Sequence, residues 1–199
     1  MGERVEEKKK QKQEALLMSA FELFTSKGIN NTSISDIAKQ AKMAKGTFYL
    51  YFKDKYDIRD RLIANKASRL FERAEEAMRK EEFSTLEEKV VFLVNHVVDQ
   101  LNENKALMRF ISKNLSWAVF SHIRISNMGN IKCMDIFDEI LGESNRKFRQ
   151  KVLMIYMLVE LVSASCYSVI LYGTPCSLEE LKAELDKTIC GLLKQFEVE

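Results

Sequence analysis

SISDIAKQAKMAKGTFYLYFKDK, running from Ser33 to Lys55, decides how the chain folds. Ser33 with Asp36 three residues later has the spacing of a capping box, so a helix is predicted to start there. Its inward face is Ile34, Ile37, Ala38 and Ala41, short and lined by small residues. "KMA" then makes a tight turn before a second helix, predicted over Lys45–Phe52. At 100° per residue Phe48 and Phe52 point the same way, inward. Gly46 and Leu50 point outward, with Thr47 on one flank, Tyr49 on the other and Lys45 at the first turn. A glycine, a hydroxyl, a phenol and a leucine make a poor solvent face and a good docking face. Gly46 costs a helix about 0.5–1 kcal/mol relative to alanine, but its bare backbone can approach another surface closely.

The rest of the chain keeps a helical rhythm. Residues 8–27 carry Leu17, Phe21 and Phe24 at i, i+4, i+7, joined by Leu16, Ala20 and Leu23, and Gly28 is placed to end that helix in a left-handed cap. Asp54 with Asp57 is predicted to cap a longer helix from Lys55 to about Lys80. Ser84 with Glu87 opens another to about Asn102, and helical segments follow near 105–120 and 123–141, the latter ended by Gly142. A long helix over 146–172 stops at Gly173 and Pro175, the only proline. Ser177 with Glu180 opens the last one, striped by Leu178, Leu181, Leu185, Ile189, Leu192 and Leu193. With a single Pro and 7 Gly among 199 residues, the expected fold is all-α with about nine helices. No internal repeat or low-complexity linker interrupts it.

Charge is distributed unevenly. Residues 1–66 hold 14 Lys/Arg against 9 Asp/Glu, a surplus of +5, while 67–199 hold 17 against 20, a deficit of −3. A basic head on an acidic body implies that the head meets an anion. Cys133, Cys166, Cys176 and Cys190 are too far apart for a zinc knuckle or a CxxC redox site and read as reduced, packed thiols. "MGERVEEKKKQKQ" has no apolar core of the secretory kind, so the expected location is cytoplasmic. The segment 152–172 is apolar enough to imitate a membrane span. Glu160 in its middle and Ser163, Ser165 and Ser168 beyond argue for burial between protein layers, with no membrane partner.

The outward face of the Lys45–Phe52 helix suits DNA. Thr47 and Tyr49 are neutral hydrogen-bonding groups for phosphate oxygens or base edges, and free amides at the helix start suit an anion. Lys45, Lys53 and Lys55, with the KKKQK run at Lys8–Lys12, supply charge that releases counterions. Over residues 13–60 the chain resembles the TetR family of transcriptional repressors. The resemblance rests on "ALLMSAFELFTSKGI", then "TSISDIAKQAKMAKGTFYLYFKDK". Thr32, Asp36, Ile37, Ala38, Lys45, Gly46, Phe48, Tyr49, Tyr51, Phe52 and Lys55 fit the family pattern, while Lys42 stands where many relatives have Gly. The resemblance implies a three-helix, homeodomain-like helix-turn-helix DNA-binding domain over 1–56 and a helical ligand-binding and dimerisation domain over 57–199. It implies that Lys45, Gly46 and Thr47, with Leu50 beside them, sit nearest the bases. Tyr49, Tyr51 and Lys55 would hold phosphates, and Thr32 or Ser33 would touch backbone.

By the same resemblance the body binds a small-molecule effector and pairs with a second copy, through helices 146–172 and 177–196. Two recognition helices would then meet a palindromic operator in double-stranded DNA. Bulky apolar residues and stray polar ones between 84 and 172 are the candidate sensor lining: Asn95, His96, Met108, Phe110 and Asn114 in the first part, then Trp117, Phe120, His122, Phe137, Met154 and Met157. Glu160 is the unusual member, a carboxylate in an apolar helix that needs a partner, a subunit contact or a cationic ligand. A Met-rich and aromatic lining suits hydrophobic ligands. With only His96 and His122, and no GxSxG, HExxH, Walker A or Rossmann glycines, no catalytic, cofactor or metal site is expected. The competing reading is a helical small-molecule carrier or scaffold whose helix-turn-helix no longer binds DNA.

Overall fold

Serine and threonine hydroxyls set the starts of the helices as local chemistry demands. In the computed structural model, which describes residues 2–112 and 133–198, Ser33 caps α2 (Ile34–Gln40) and Ser177 caps α9 (Leu178–Phe196), each within a complete capping box. The third box is shifted by one residue from the expected place. Thr85, with Glu88, caps α5 (Leu86–Glu103), because the Glu88 carboxylate accepts from both the Thr85 and Ser84 amides. Asp54 accepts from the amides of Tyr56 and Asp57 and so starts α4 (Lys55–Met78).

The other described helices are α1 (Gly2–Ser26), α3 (Lys45–Tyr49), α6 (Lys105–Ser112), α7 (Cys133–Glu143) and α8 (Lys151–Tyr172). α1 starts six residues earlier than its apolar stripe indicates, since a run of Glu, Lys and Gln is itself good helix material. α3 stops at Tyr49, and α7 runs one residue past Gly142 to Glu143. α8 begins at Lys151, not 146: Lys147–Phe148 (β1) pairs antiparallel with Glu197–Val198 (β2), the only strand pair among the described residues. Gly28 and Gly173 adopt φ of 82° and 67°, the left-handed conformation that ends α1 and α8. Lys42 takes φ of 55° after α2, a geometry for which glycine is better suited.

Two compact units emerge, the first through Ala64 and the second from Asn65 onward, so the division falls inside α4 and eight residues later than the expected boundary at 56/57. In the first, Leu16, Ala20, Phe24, Ile37, Ala38, Phe48, Phe52, Ile58 and Ile63 form a buried core. In the second, α8 packs on α9, α6 and α5, and α5 also packs on α9. Polar ties fix these helices. Lys182 and Asp99 join α9 to α5 at 2.8 Å, and Lys89 and Glu143 join α5 to α7 at 2.7 Å. The Arg146 guanidinium bridges Glu87, at 2.8 Å, and the Glu197 carboxylate, at 2.6 Å, locking the strand pair onto the first turn of α5. Those carboxylates, Glu197 foremost, push the Arg146 pKa further up, and the Arg146 guanidinium holds that of Glu197 below its usual range.

Candidate functional site

A five-residue helix cannot hold itself together, and α3 has no side-chain cap on Ala44. Its position comes from one anchor. Phe48 is fully buried, with its ring 5.5 Å from that of Phe52 and edge-on to Tyr49 at 5.6 Å. The opposite side is bare. Lys45 and Gly46 are exposed, Thr47 is half-buried, Tyr49 is 52% exposed and Leu50 is 76% exposed. A methyl group added at Gly46 would meet no atom of the protein within 4 Å, so nothing inside the fold requires glycine there. At five residues α3 carries little macrodipole, so its terminus offers an anion little by itself.

α2 is tied to α1 at both of its ends. Lys27 Nζ donates to Asp36 at 3.0 Å, and Gln40 Nε2 donates to Glu22 at 2.5 Å. The Ser33 amide and then the Lys27 ammonium bring the Asp36 carboxyl down to about 2. Ser33 remains exposed at the head of α2, and Tyr51 is half-buried.

Thr32 and Lys55, expected at the DNA backbone, are occupied within the unit. Thr32 is buried, and its hydroxyl donates to the Gly28 carbonyl at 2.8 Å. The Lys55 ammonium donates to the carbonyls of Ile29 at 3.0 Å and Thr32 at 3.4 Å, tying the loop after α1 to the start of α4. Tyr56, which the sequence reading passed over, is exposed instead, with Arg59 over its ring at 5.1 Å. Its signal was available: an aromatic flanked by cations in the first turn of a helix.

The second unit contains a cavity of about 80 Å³ between α4, α5, α6, α7 and α8. Ala67, Leu70, Phe71, Val94, Val97, Leu101, Met108, Ile111, Phe137, Leu158, Val159, Val162 and Cys166 line it, with Ser112 and Ser163, and among the described residues no polar atom faces the void. The Ser112 hydroxyl turns back to donate to the Met108 carbonyl. Burial pushes the Cys166 thiol up to about 11, so it stays protonated.

Of the candidate lining residues, Met108 and Phe137 face the cavity. Asn95 donates to Asp186 at 2.9 Å and His96 stacks on Phe92, both away from it. Phe110 and Met154 are buried elsewhere, while Met157 and Glu160 lie exposed on α8. Asn114, Trp117, Phe120 and His122 fall outside the described residues. Among the described residues there is no cluster of three or more metal-ligating side chains.

α2 and α3 form a helix-turn-helix whose second helix faces outward, and the second unit is helical with an apolar cavity. Residues 16–62 match the family model for bacterial regulatory proteins, tetR family. Among characterised proteins, the Fatty acid metabolism regulator protein of Bacillus subtilis (strain 168) is 36% identical over 87 residues, 44% of either chain. The match thus spans less than half of that relative. Among solved structures, the fatty acid degradation regulator FadR from Bacillus halodurans superposes with a TM-score of 0.63 at 23% identity, over 92% of this chain and 94% of that one. FadR from Bacillus subtilis in complex with stearoyl-CoA gives 0.59 at 21% identity, over 88% and 96%. Residues 16–62 therefore carry the tetR-family domain, and the chain shares the fold of these solved regulators.

Proposed function

We propose that this protein is a transcriptional repressor that binds a palindromic operator as a homodimer and is released by a small-molecule effector. The observation that carries the reading is the outward side of α3, where Lys45, Gly46, Tyr49 and Leu50 are exposed and Thr47 half-buried while the buried Phe48 holds the helix down. Lys45, Gly46 and Thr47 would meet base edges in the major groove, with Tyr49, Tyr51 and Ser33 on phosphates. The second copy would pair through α8 and α9. α8 is apolar all round, yet Val152, Leu153, Tyr156 and Met157 stand exposed along one side of it. The same composition makes α8 long and apolar enough to cross a membrane. Its packing on α9, α6 and α5 fits a subunit interface, and a cytoplasmic location follows from this role.

The cavity narrows the effector to a molecule with an apolar chain. Among the described residues no carboxylate lines it, so they offer a cationic ligand no counter-charge there and favour a polar head that remains outside. The stearoyl-CoA complex of a structural relative accords with this. α4 would be the lever: Ile58, Leu62 and Ile63 are buried at its start, and Ala67, Leu70 and Phe71 line the cavity further along. An effector that favours one conformer by about 2 kcal/mol changes operator occupancy roughly 30-fold.

Gel shifts with DNA upstream of the protein's own gene, at stated salt, test the repressor reading. Tyr49→Ala and Lys45→Ala are each expected to weaken binding by about 1–3 kcal/mol with an unchanged melting temperature. Gly46→Ala is expected to stabilise the first unit by up to about 0.5–1 kcal/mol while weakening operator binding, because the added methyl stands only in the partner's way. An intact dimer that shifts no flanking DNA would favour the carrier or scaffold. For the effector, stearoyl-CoA at 100 times its Kd should add about 2.7 kcal/mol of stability and release the operator, and acetyl-CoA should do neither. Equal responses to the two would place recognition in the headgroup and remove the cavity from the reading.

A further inference from the structure

α1 is much longer than its core. Its first fully buried side chain is Leu16, and residues 5–12 are helical and exposed throughout. This overhang is charge-segregated. At 100° per residue Lys8, Lys9 and Lys12 lie on one edge, and Glu6, Glu7 and Glu14 lie on the opposite one. Lys10 falls among the acids, four residues from both Glu6 and Glu14, the spacing at which opposite charges compensate on a helix. Lys8, Lys9 and Lys12 make no ion pair with a described residue.

The direction of the overhang follows from two side-chain contacts. Asp36, near the start of α2, meets Lys27 at the end of α1, while Gln40, at the end of α2, meets Glu22. α2 therefore runs back along α1, and the turn at 41–44 lies on the side toward which α1 continues. The exposed head of α3 opens from that turn. At 1.5 Å per residue, Lys12 and Lys8 stand about 15 Å and 21 Å beyond Glu22. That reach is comparable to the ~12 Å width of the major groove.

We propose that the overhang of α1 is a second DNA contact, with the Lys8–Lys9–Lys12 edge lying on phosphates beside the groove that α3 enters. The inference rests on the operator-binding reading above and adds a surface outside the helix-turn-helix. The partner is duplex DNA because the edge carries three cations that form no ion pair with a described residue and a single apolar side chain, Val5, too little apolar surface for a protein groove to bury.

The test compares the full chain with Lys8→Ala/Lys9→Ala/Lys12→Ala and with Lys10→Ala, using operator DNA from about 50 to about 200 mM salt. The triple variant is expected to bind about tenfold or more weakly at the lower salt, with the log–log salt slope reduced by about 2–3. Lys10→Ala should follow the native protein, and circular dichroism and melting should show both variants folded. A triple variant with native affinity and slope, beside a native protein that shifts the operator, overturns the inference and leaves the repressor reading intact. So does a Lys10→Ala variant as weak as the triple one, since the contact would then have no defined edge. Native protein that shifts no DNA overturns both readings.

Discussion

Phe48→Ala is expected to cost the first unit about 3–5 kcal/mol, the range for removing a fully buried aromatic ring. A small helical unit has stability of the order of 5–15 kcal/mol or less, so much of its folding free energy goes with one side chain. The effect is large because α3 has few other means of staying in place. It has five residues, no side-chain cap at Ala44, and exposed side chains on its outward face. Phe48, closed over by Phe52 at 5.5 Å, is the contact that gives α3 its orientation. Thermal melting should show an early, broadened transition for the first unit, and operator binding should disappear with it. Tyr49→Ala on the adjacent position provides the contrast, since Tyr49 is half exposed and should lose DNA affinity with a native melting curve. A Phe48→Ala protein that melts like the native one would mean that α3 is held by something other than its core side.

That neighbouring pair also marks what could be read from the sequence. Phe48 inward and Tyr49 outward follow from helical geometry alone, and Ser33–Asp36, Ser177–Glu180, Gly28 and Gly173 are local enough to act as expected. The slip from Ser84 to Thr85 has a local cause too, because two amides compete for Glu88 and the sequence does not rank them. Non-local pairings were beyond reach. β1 and β2 join residues about fifty positions apart, and no periodicity in "KF" or "EV" announces the match. Lys55 reads as a free cation until the fold brings the carbonyls of Ile29 and Thr32 against it.

The cavity was illegible for a different reason. Leu70, Val94, Val97 and Val162 have the same side-chain chemistry as the packed core, and only the three-dimensional arrangement decides which of them border a void. Polar residues drew attention in the sequence because burial makes them conspicuous. Among the described ones Asn95 pairs with Asp186 of α9, His96 stacks on Phe92 of its own helix, and Glu160 is exposed.

Met157→Asp is expected to turn the proposed dimer into monomers. α8 is the element most ambiguous in sequence, because a helix apolar on every side gives no clue to which face the protomer buries. The fold resolves it: Met154, Ile155, Leu158, Cys166 and Val169 are buried, leaving Val152, Leu153, Tyr156 and Met157 at the surface. Four large apolar side chains on one helix edge make a patch that a water-exposed monomer rarely keeps. Gly191 on α9 adds to this, since a methyl placed there would meet nothing, and a bare backbone lets a partner helix come close. A carboxylate buried without a partner in such an interface costs about 3–5 kcal/mol, roughly a hundred-fold to several thousand-fold in dimer affinity. The protomer itself should be untouched, because Met157 is 39% exposed before any partner arrives. Sedimentation should then report a single folded chain that still responds to stearoyl-CoA by thermal shift. Operator affinity should fall to that of one half-site, because two recognition helices bind a palindrome tightly only when something fixes their separation. A Met157→Asp protein that sediments as a dimer would move the subunit interface off α8.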